Sequence, residues 1–130
     1  MPPAAKRKTS MGTGEYEWKT SRKLAEEPAR AFGRGAPWKL RLVPIERIEY
    51  IDFDDPEFEE RARDPKGGPE YVSQLAELMK AGVVMAPAVG YQSRFGDKLI
   101  VAHDGNHRIC AAIRLGIKKI PMAIYETSKP

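Results

Sequence analysis

Hydrophobic residues recur at helical spacing most clearly between residues 69 and 80. The apolar positions there fall at i, i+3, i+4 and i+7, and they are Val72, Leu75, Ala76 and Met79. Such spacing forms one apolar stripe along an amphipathic helix. Pro69 suits the first turn of this helix, and Gly82 suits a left-handed cap after its end. The sequence therefore predicts a helix that begins near Pro69 and packs one face against a core.

Alternating residues predict a strand before this helix. After Trp38, Leu40 and Leu42 alternate with the polar residues Lys39 and Arg41. Because successive side chains of a strand point to opposite faces, the two leucines are expected on a buried face.

Residues 88–92 and 98–103 form two β-rich runs around a glycine-containing turn, which predicts a hairpin. Helical spacing returns in residues 109–116, and residues 120–125 predict a final strand. Strands and helices are thus intermixed, so the predicted fold class is α+β, a small mixed sheet with packed helices.

The first 37 residues have a different composition. They contain Pro-Pro, Gly-Thr-Gly and Gly-Arg-Gly sequences and few branched aliphatic residues, with Trp18 and Phe32 as isolated hydrophobic groups. Segments that can bury little apolar surface tend to stay disordered. We therefore predict a disordered basic tail over residues 1–37 and a folded domain over residues 38–130.

Length and charge narrow the class of protein. The chain has 130 residues, 42% hydrophobic, which suffices for one domain. Residues 1–40 hold nine Lys or Arg and four Glu, a net charge of +5, whereas residues 41–130 have a net charge of −1. A cationic tail favours nonspecific binding to DNA phosphates, although it could equally serve solubility. No segment resembles a membrane span or signal peptide, so we expect a cytoplasmic protein with no membrane partner.

The candidate chemistry is concentrated in one segment between a predicted strand and a predicted helix. Its polar and glycine residues are His103, Asp104, Gly105, Asn106, His107 and Arg108. Backbone N–H groups at a helix start attract anions, a glycine allows close approach, and an arginine can bind two phosphate oxygens. The segment therefore predicts a phosphate site formed by Gly105, Asn106, His107 and Arg108.

Several of these residues have two interpretations. Asp104 could cap the helix, or it could bind Mg²⁺ or accept a proton. Arg108 could pair with an acidic residue of the domain. The two histidines with Asp104 could bind a transition metal, although the turn between them makes convergence uncertain. Cys110 is expected to be a small buried residue.

The order of elements and this segment resemble the ParB/sulfiredoxin superfamily. The resemblance covers about residues 40–126, and it rests on residues 43–45, 75–84, 87–101 and, above all, 104–112. The superfamily includes the N-terminal domains of partition proteins. It implies a ParB/sulfiredoxin-like fold and a nucleotide ligand, ATP, ADP or CTP, together with Mg²⁺.

The branches of this superfamily differ at one position. Partition proteins carry a glutamate and sulfiredoxins a cysteine where this chain has Asn106. Free-serine kinases carry Asp-Gly-x-His-Arg, which residues 104–108 match, and they use a glutamate near the first strand as a base. That likeness implies catalytic roles for Asp104, His107 and Glu49, with Glu46 as the alternative base.

The predicted function is therefore a ParB-like module that binds a nucleotide or phosphate and associates with DNA. The alternatives are a small-molecule phosphotransferase similar to a free-serine kinase, or a noncatalytic adaptor that contacts a protein partner. Whether the chain is an enzyme stays open, since the glutamate of the partition proteins is replaced by Asn106.

Overall fold

The computed structural model describes residues 16–55, 57, 68–93 and 100–126. Its elements in chain order are α1 (Arg22–Gly33), β1 (Trp38–Pro44), a 3-10 turn (Ile45–Arg47), β2 (Ile48–Glu49), α2 (Pro69–Lys80), β3 (Ala88–Gln92), β4 (Ile100–Asp104), α3 (Asn106–Arg114) and β5 (Lys119–Tyr125). The predicted α+β class is confirmed. None of the helices in these residues combines the length and apolar character that a membrane span requires.

The five strands form one mixed sheet in the order β1-β5-β3-β4-β2. β1 pairs antiparallel with β5, and β3 pairs antiparallel with β4, which confirms the antiparallel pairing of the two β-rich runs. The pairs β3–β5 and β2–β4 are parallel. A register shift between Val89 and Gly90 leaves His103 as an extra residue on β4, just before the strand ends.

Helices cover both faces of this sheet. α2 and α3 pack together on one face, where Val72, Met79 and Ile109 join the larger hydrophobic cluster. α1 covers part of the other face, where Ala25 and Ala29 pack in the smaller cluster with Val89, Ala123 and Tyr125. Every one of the four apolar residues predicted for the face of α2 is buried. The sheet is thus the middle layer between one pair of helices and a single helix.

The predicted disorder of residues 1–37 is wrong for residues 16–37, which form α1 and its flanking segments. The hydroxyl of Ser21 accepts the backbone N–H of Leu24 and caps the helix. The buried face of α1 consists of Ala25, Ala29 and Gly33, so it has no large apolar side chain, and its small residues allow close contact with the sheet. The domain therefore begins by residue 16, and residues 1–15 lie outside the described residues.

The predicted buried face of β1 is also wrong at one end. Leu42 is 66% exposed, whereas Val43 is buried in the cluster beneath α2 and α3. β1 is an edge strand, and α1 covers only its beginning, where Trp38 packs in the smaller cluster. The face that is buried therefore changes along the strand.

Candidate functional site

The turn from β4 to α3 carries the candidate site. Asp104 ends β4, Gly105 has a φ of 96°, and Asn106 begins α3. A Cβ atom at Gly105 would lie 2.9 Å from the Cα of Ala88 and 3.3 Å from Nη2 of Arg108. A side chain is therefore excluded both by the left-handed backbone and by the space available. This turn brings the backbone of β3, β4 and α3 close together.

Among the described residues, no side chain caps the first turn of α3. The first backbone N–H groups of any helix have no acceptor within the helix. The interpretation of Asp104 as the N-cap is wrong, since the N-cap is Gly105. The carboxylate of Asp104 instead lies 3.4 Å from Nη2 of Arg108. The positive end of α3 is thus available to an anion.

Arg108 is held in place partly by Trp18, which belongs to the segment that the sequence predicts to be disordered. Its Nη1 donates to the carbonyl oxygen of Ala86 at 2.9 Å, and Nε1 of Trp18 donates to the same oxygen at 3.1 Å. The guanidinium carbon also lies 5.8 Å from the centre of the Trp18 ring. Trp18 is 5% exposed. The sequence signal for this contact is a tryptophan that stands alone in a segment poor in aliphatic residues.

Asn106 is buried, and its side chain is used for structure. Its Oδ1 accepts the backbone N–H of Ile51 at 2.8 Å. This bond fixes the segment that follows β2 against the start of α3. An amide oxygen cannot donate to a phosphate, so any contact of Asn106 with a phosphate would be made by its backbone N–H or by its side-chain NH₂ group.

His107 lies between two aromatic rings. Its imidazole stacks on Phe53 with ring centres 3.9 Å apart and an angle of 8°, and Tyr71 meets it edge-on at 5.0 Å. These contacts fix the imidazole at the rim of the candidate site.

The second histidine is not near the first. His103 packs on the opposite face of the sheet, where its Nδ1 lies 2.6 Å from the hydroxyl of Tyr125 and its ring meets Tyr91 edge-on. The structure therefore does not bring the two histidines together as metal ligands. Within the described residues no group of three or more His, Cys, Asp or Glu side chains is placed to bind a metal.

The two glutamates considered as bases lie away from the turn. Glu49 is exposed on the edge strand β2, beside Val101 and on the face opposite the buried Ile48. Glu46 borders a separate cavity that contains Tyr50 and Lys118. The structure thus unites Asp104, Gly105, His107 and Arg108 but leaves both glutamates outside.

A cleft of about 320 Å³ opens at this turn. Its lining residues are Tyr71, Leu75, Met85, Asp104, Gly105, His107 and Arg108. The lining combines a helix N-terminus and a guanidinium with three apolar or aromatic side chains. Such a cleft can hold an anion together with an uncharged group of the same ligand.

Cys110 does not take part in this chemistry. It is 1% exposed, and its thiol lies 3.5 Å from the carbonyl oxygen of Ile51. Burial raises the pKa of Cys110 to about 11, which keeps the thiol protonated at neutral pH. The sequence interpretation of Cys110 as a small buried residue is confirmed.

Comparison with known proteins connects this geometry to two groups of structures. No model of a protein family matches the sequence, and no curated protein matches it. A truncated ParB from Caulobacter crescentus in complex with CTP-γ-S matches with a TM-score of 0.52 and 23% identity over 70% of this chain. Sulfiredoxin from Arabidopsis thaliana matches with a TM-score of 0.51 and 20% identity over 68% of this chain. The chain has a ParB/sulfiredoxin-like fold.

The extent of these matches differs between the two neighbours. The match covers 86% of the sulfiredoxin chain but 46% of the ParB chain, so this chain spans about half of that ParB structure. The resemblance predicted from residues 40–126 is thereby confirmed at the level of the fold. The free-serine kinase branch suggested by residues 104–108 stays a prediction.

Proposed function

We propose that this chain is a nucleotide-binding module that holds the phosphates of its ligand at the start of α3. The observation that carries this proposal is the uncapped first turn of α3 beside Gly105 and Arg108 in one cleft. Fixed N–H groups and a guanidinium stabilise phosphate oxygens without reorganisation. The ParB neighbour with the same fold was solved with CTP-γ-S, which supports a nucleotide as the ligand.

Arg108 is suited to exchange one partner for a phosphate. Its bond to Ala86 is short, at 2.9 Å, whereas its contact with Asp104 is long, at 3.4 Å. A phosphate oxygen can replace the carboxylate at Nη2 while Nη1 stays on Ala86. The guanidinium then keeps its position, so binding costs little ordering of the side chain.

The carboxylate of Asp104 would repel the phosphates of a ligand in this cleft, and a bound Mg²⁺ would offset that repulsion. This ion commonly binds one or two carboxylates, substrate phosphates and water. The carboxylate of Asp104 is 39% exposed, so it would be accessible to such an ion. When bound, Mg²⁺ would supply charge neutralisation between Asp104 and the ligand. Tyr71, Leu75 and Met85 would contact the uncharged part of the nucleotide.

The test measures binding of CTP, ATP, ADP and GTP, with and without Mg²⁺, by titration calorimetry and by thermal shift. We expect at least one nucleotide to bind and raise the melting temperature of the full chain. Arg108→Ala should weaken that nucleotide on the order of 10- to 100-fold, because a charge-assisted contact is lost.

Lys80→Ala is the matched control, because it removes one exposed cation of α2 outside the cleft. Affinity of this variant should stay within about twofold of the unchanged chain. Absence of binding by all four nucleotides at millimolar concentration would overturn the proposal and favour the adaptor alternative.

Catalysis is tested separately through Asp104→Asn. This substitution keeps the shape of the side chain but removes the charge, so a catalytic Asp104 predicts that turnover falls by about 100-fold or more, with a nearly unchanged melting temperature. Turnover that needs free serine would favour the phosphotransferase, and turnover that needs DNA would favour partition-type chemistry. Binding without turnover is the outcome we expect, because Asn106 occupies the position of the glutamate and its oxygen is bound to Ile51.

A further inference from the structure

Another cavity lies on the face of the sheet opposite α2 and α3. It encloses about 890 Å³, within the roughly 300–1,000 Å³ that small-molecule sites occupy. Its wall comprises the end of α1, the following turn and the ends of β4 and β5, namely Ala31, Phe32, Gly33, Arg34, Gly35, Ala36, Pro37, His103, Tyr125 and Glu126. None of these residues lines the proposed nucleotide cleft.

Aromatic rings form a fixed part of this wall. The ring of Phe32 is 41% exposed, and its centre lies 6.0 Å from that of His103. His103 is also exposed, yet its orientation is fixed by the hydroxyl of Tyr125 at 2.6 Å and by the edge contact with Tyr91. The imidazole is thus held in place while it is exposed to solvent, which lowers the entropic cost of stacking a ligand on it, and the ring of Phe32 lies beside it.

A cation stands beside these rings. Arg34 has a φ of 53°, the only positive φ of a residue other than glycine in the described part of the chain. Arg34 lines the same cavity as Phe32, His103 and Tyr125. No residue that the structure describes forms an ion pair or hydrogen bond with that guanidinium.

The charge of the wall limits the anion that would fit. Glu126 lines the same cavity as Arg34, so the lining carries one cation and one carboxylate. A group with several negative charges, such as a triphosphate, would be repelled by Glu126. A single carboxylate can approach Arg34 while the rest of the ligand covers the rings.

We propose that this cavity binds a small molecule in which a planar aromatic ring carries one carboxylate. The ring packs against Phe32 and His103, and the carboxylate pairs with Arg34. This site is independent of the nucleotide cleft, because the sheet separates the two.

The experiment uses indole-3-acetate as the probe, with the full chain labelled for amide NMR. Indole-3-acetamide has the same ring without the charge, and cyclohexylacetate has the charge without an aromatic ring. We expect indole-3-acetate to shift the amides of residues 31–36, 103, 125 and 126, and to bind about fivefold or more tightly than either comparator. Equal binding of the three compounds, or no binding at 5 mM probe, would overturn the proposal.

Two variants and one control locate the contacts. Arg34→Asn removes the cation and tolerates the left-handed backbone, so it should weaken indole-3-acetate about fivefold or more and leave indole-3-acetamide unchanged. Phe32→Leu keeps an apolar group but removes the ring, and it should weaken both indoles. Arg30→Ala removes an exposed cation of the same helix that does not line the cavity, and it should change neither. Equal effects of Arg34→Asn and Arg30→Ala would show that only net charge matters and would contradict the site.

Discussion

The carbonyl oxygen of Ala86 accepts hydrogen bonds from both Trp18 and Arg108. One atom therefore connects the segment before α1 to the guanidinium of the proposed phosphate site. Since Trp18 also lies behind the guanidinium at 5.8 Å, it acts as a positioning residue. Its contribution should appear in ligand affinity as well as in stability.

Trp18→Phe tests this positioning. The variant keeps an aromatic ring but removes the N–H donor to Ala86, so we expect the free energy of unfolding to fall by about 1–2 kcal/mol. Nucleotide affinity should fall as well, by about threefold, because Arg108 loses part of its support. Denaturant unfolding and titration calorimetry measure the two effects. A loss of stability with unchanged affinity would show that Trp18 is only a core residue.

Cys110 gives a pH prediction at the same scale. Burial raises its pKa from 9.0 to about 11, so between these values the folded chain keeps a proton that the unfolded chain loses. Rising pH therefore favours the unfolded state, and the stabilising contribution present below pH 9 declines towards pH 11. Cys110→Ala should show a shallower decline of the urea midpoint from pH 8 to 10. Parallel declines in the two proteins would mean that Cys110 does not titrate in this way.

Among the elements, α1 is the one whose role departs most from the sequence prediction. Its small residues Ala25 and Ala29 are fully buried against the sheet, and Gly33 lies against the ring of Tyr125. Arg22 adds a cation–π contact with Trp38 of β1, at 4.3 Å from the ring centre. α1 is therefore part of the folded domain, and it also forms one wall of the proposed aromatic carboxylate site.

Two truncations distinguish α1 from the residues before it. Removal of residues 1–36 deletes Trp18 and α1 and exposes the smaller cluster, so we expect a loss of about 4 kcal/mol or more, enough to unfold many domains. Removal of residues 1–14 should change stability by less than about 0.5 kcal/mol. Circular dichroism and urea unfolding make the comparison. Equal stability of both truncated chains would show that α1 does not support the domain.

α3 also holds the segment that follows β2, through three side chains on one side of the helix. Asn106 accepts the N–H of Ile51, the thiol of Cys110 lies near the carbonyl of the same residue, and Arg114 forms an ion pair with Asp54. Residues 51–54 are therefore anchored by α3, whose Arg114 lies 60 positions after Asp54 in the chain. Phe53 of this segment then reaches the ring of His107.

Asn106→Ala tests this anchoring. The change removes the acceptor of a backbone N–H group, so we expect the free energy of unfolding to fall by about 1–3 kcal/mol. Amide exchange of Ile51 should accelerate at the same time. Gln74→Ala, at an exposed position of α2, is the control and should leave both quantities nearly unchanged. Protected exchange of Ile51 in Asn106→Ala would contradict the role given to this bond.

At the scale of the whole molecule, the cationic character lies at the beginning of the chain. Residues 1–14 contain three basic residues and no acidic one, and residues 41–130 carry a net charge of −1. We therefore predict that nonspecific DNA binding depends on residues 1–14 and is separable from the nucleotide cleft. Removing them should lower the slope of log affinity against log salt by about 2–3, in line with the three charges lost.

Fluorescence anisotropy with a random-sequence duplex at several salt concentrations measures this slope. A full-length variant with Lys6, Arg7 and Lys8 changed to Gln controls for the shorter chain. Unchanged DNA affinity in both would place the DNA-binding surface on the folded domain. It would contradict the inference from charge.

The sequence by itself determined several local elements and the location of the phosphate segment. Helical spacing identified α2 and most of α3, and the β-rich composition of two neighbouring runs identified β3 and β4. Gly105 and Arg108 were identifiable because their chemistry depends on residue type and on position at a strand-to-helix turn. The residues of the cleft at the β4–α3 turn could thus be anticipated in part before any fold was known.

Only the tertiary structure decided which distant residues complete each site. The two histidines are four positions apart, yet the extra residue on β4 and the turn at Gly105 send them to opposite faces of the sheet. Trp18 reaches Arg108 across 90 positions, and α1 docks through two alanines and a glycine rather than through large apolar side chains. Contacts of this kind depend on strand order and helix packing, which the period of a local sequence does not encode.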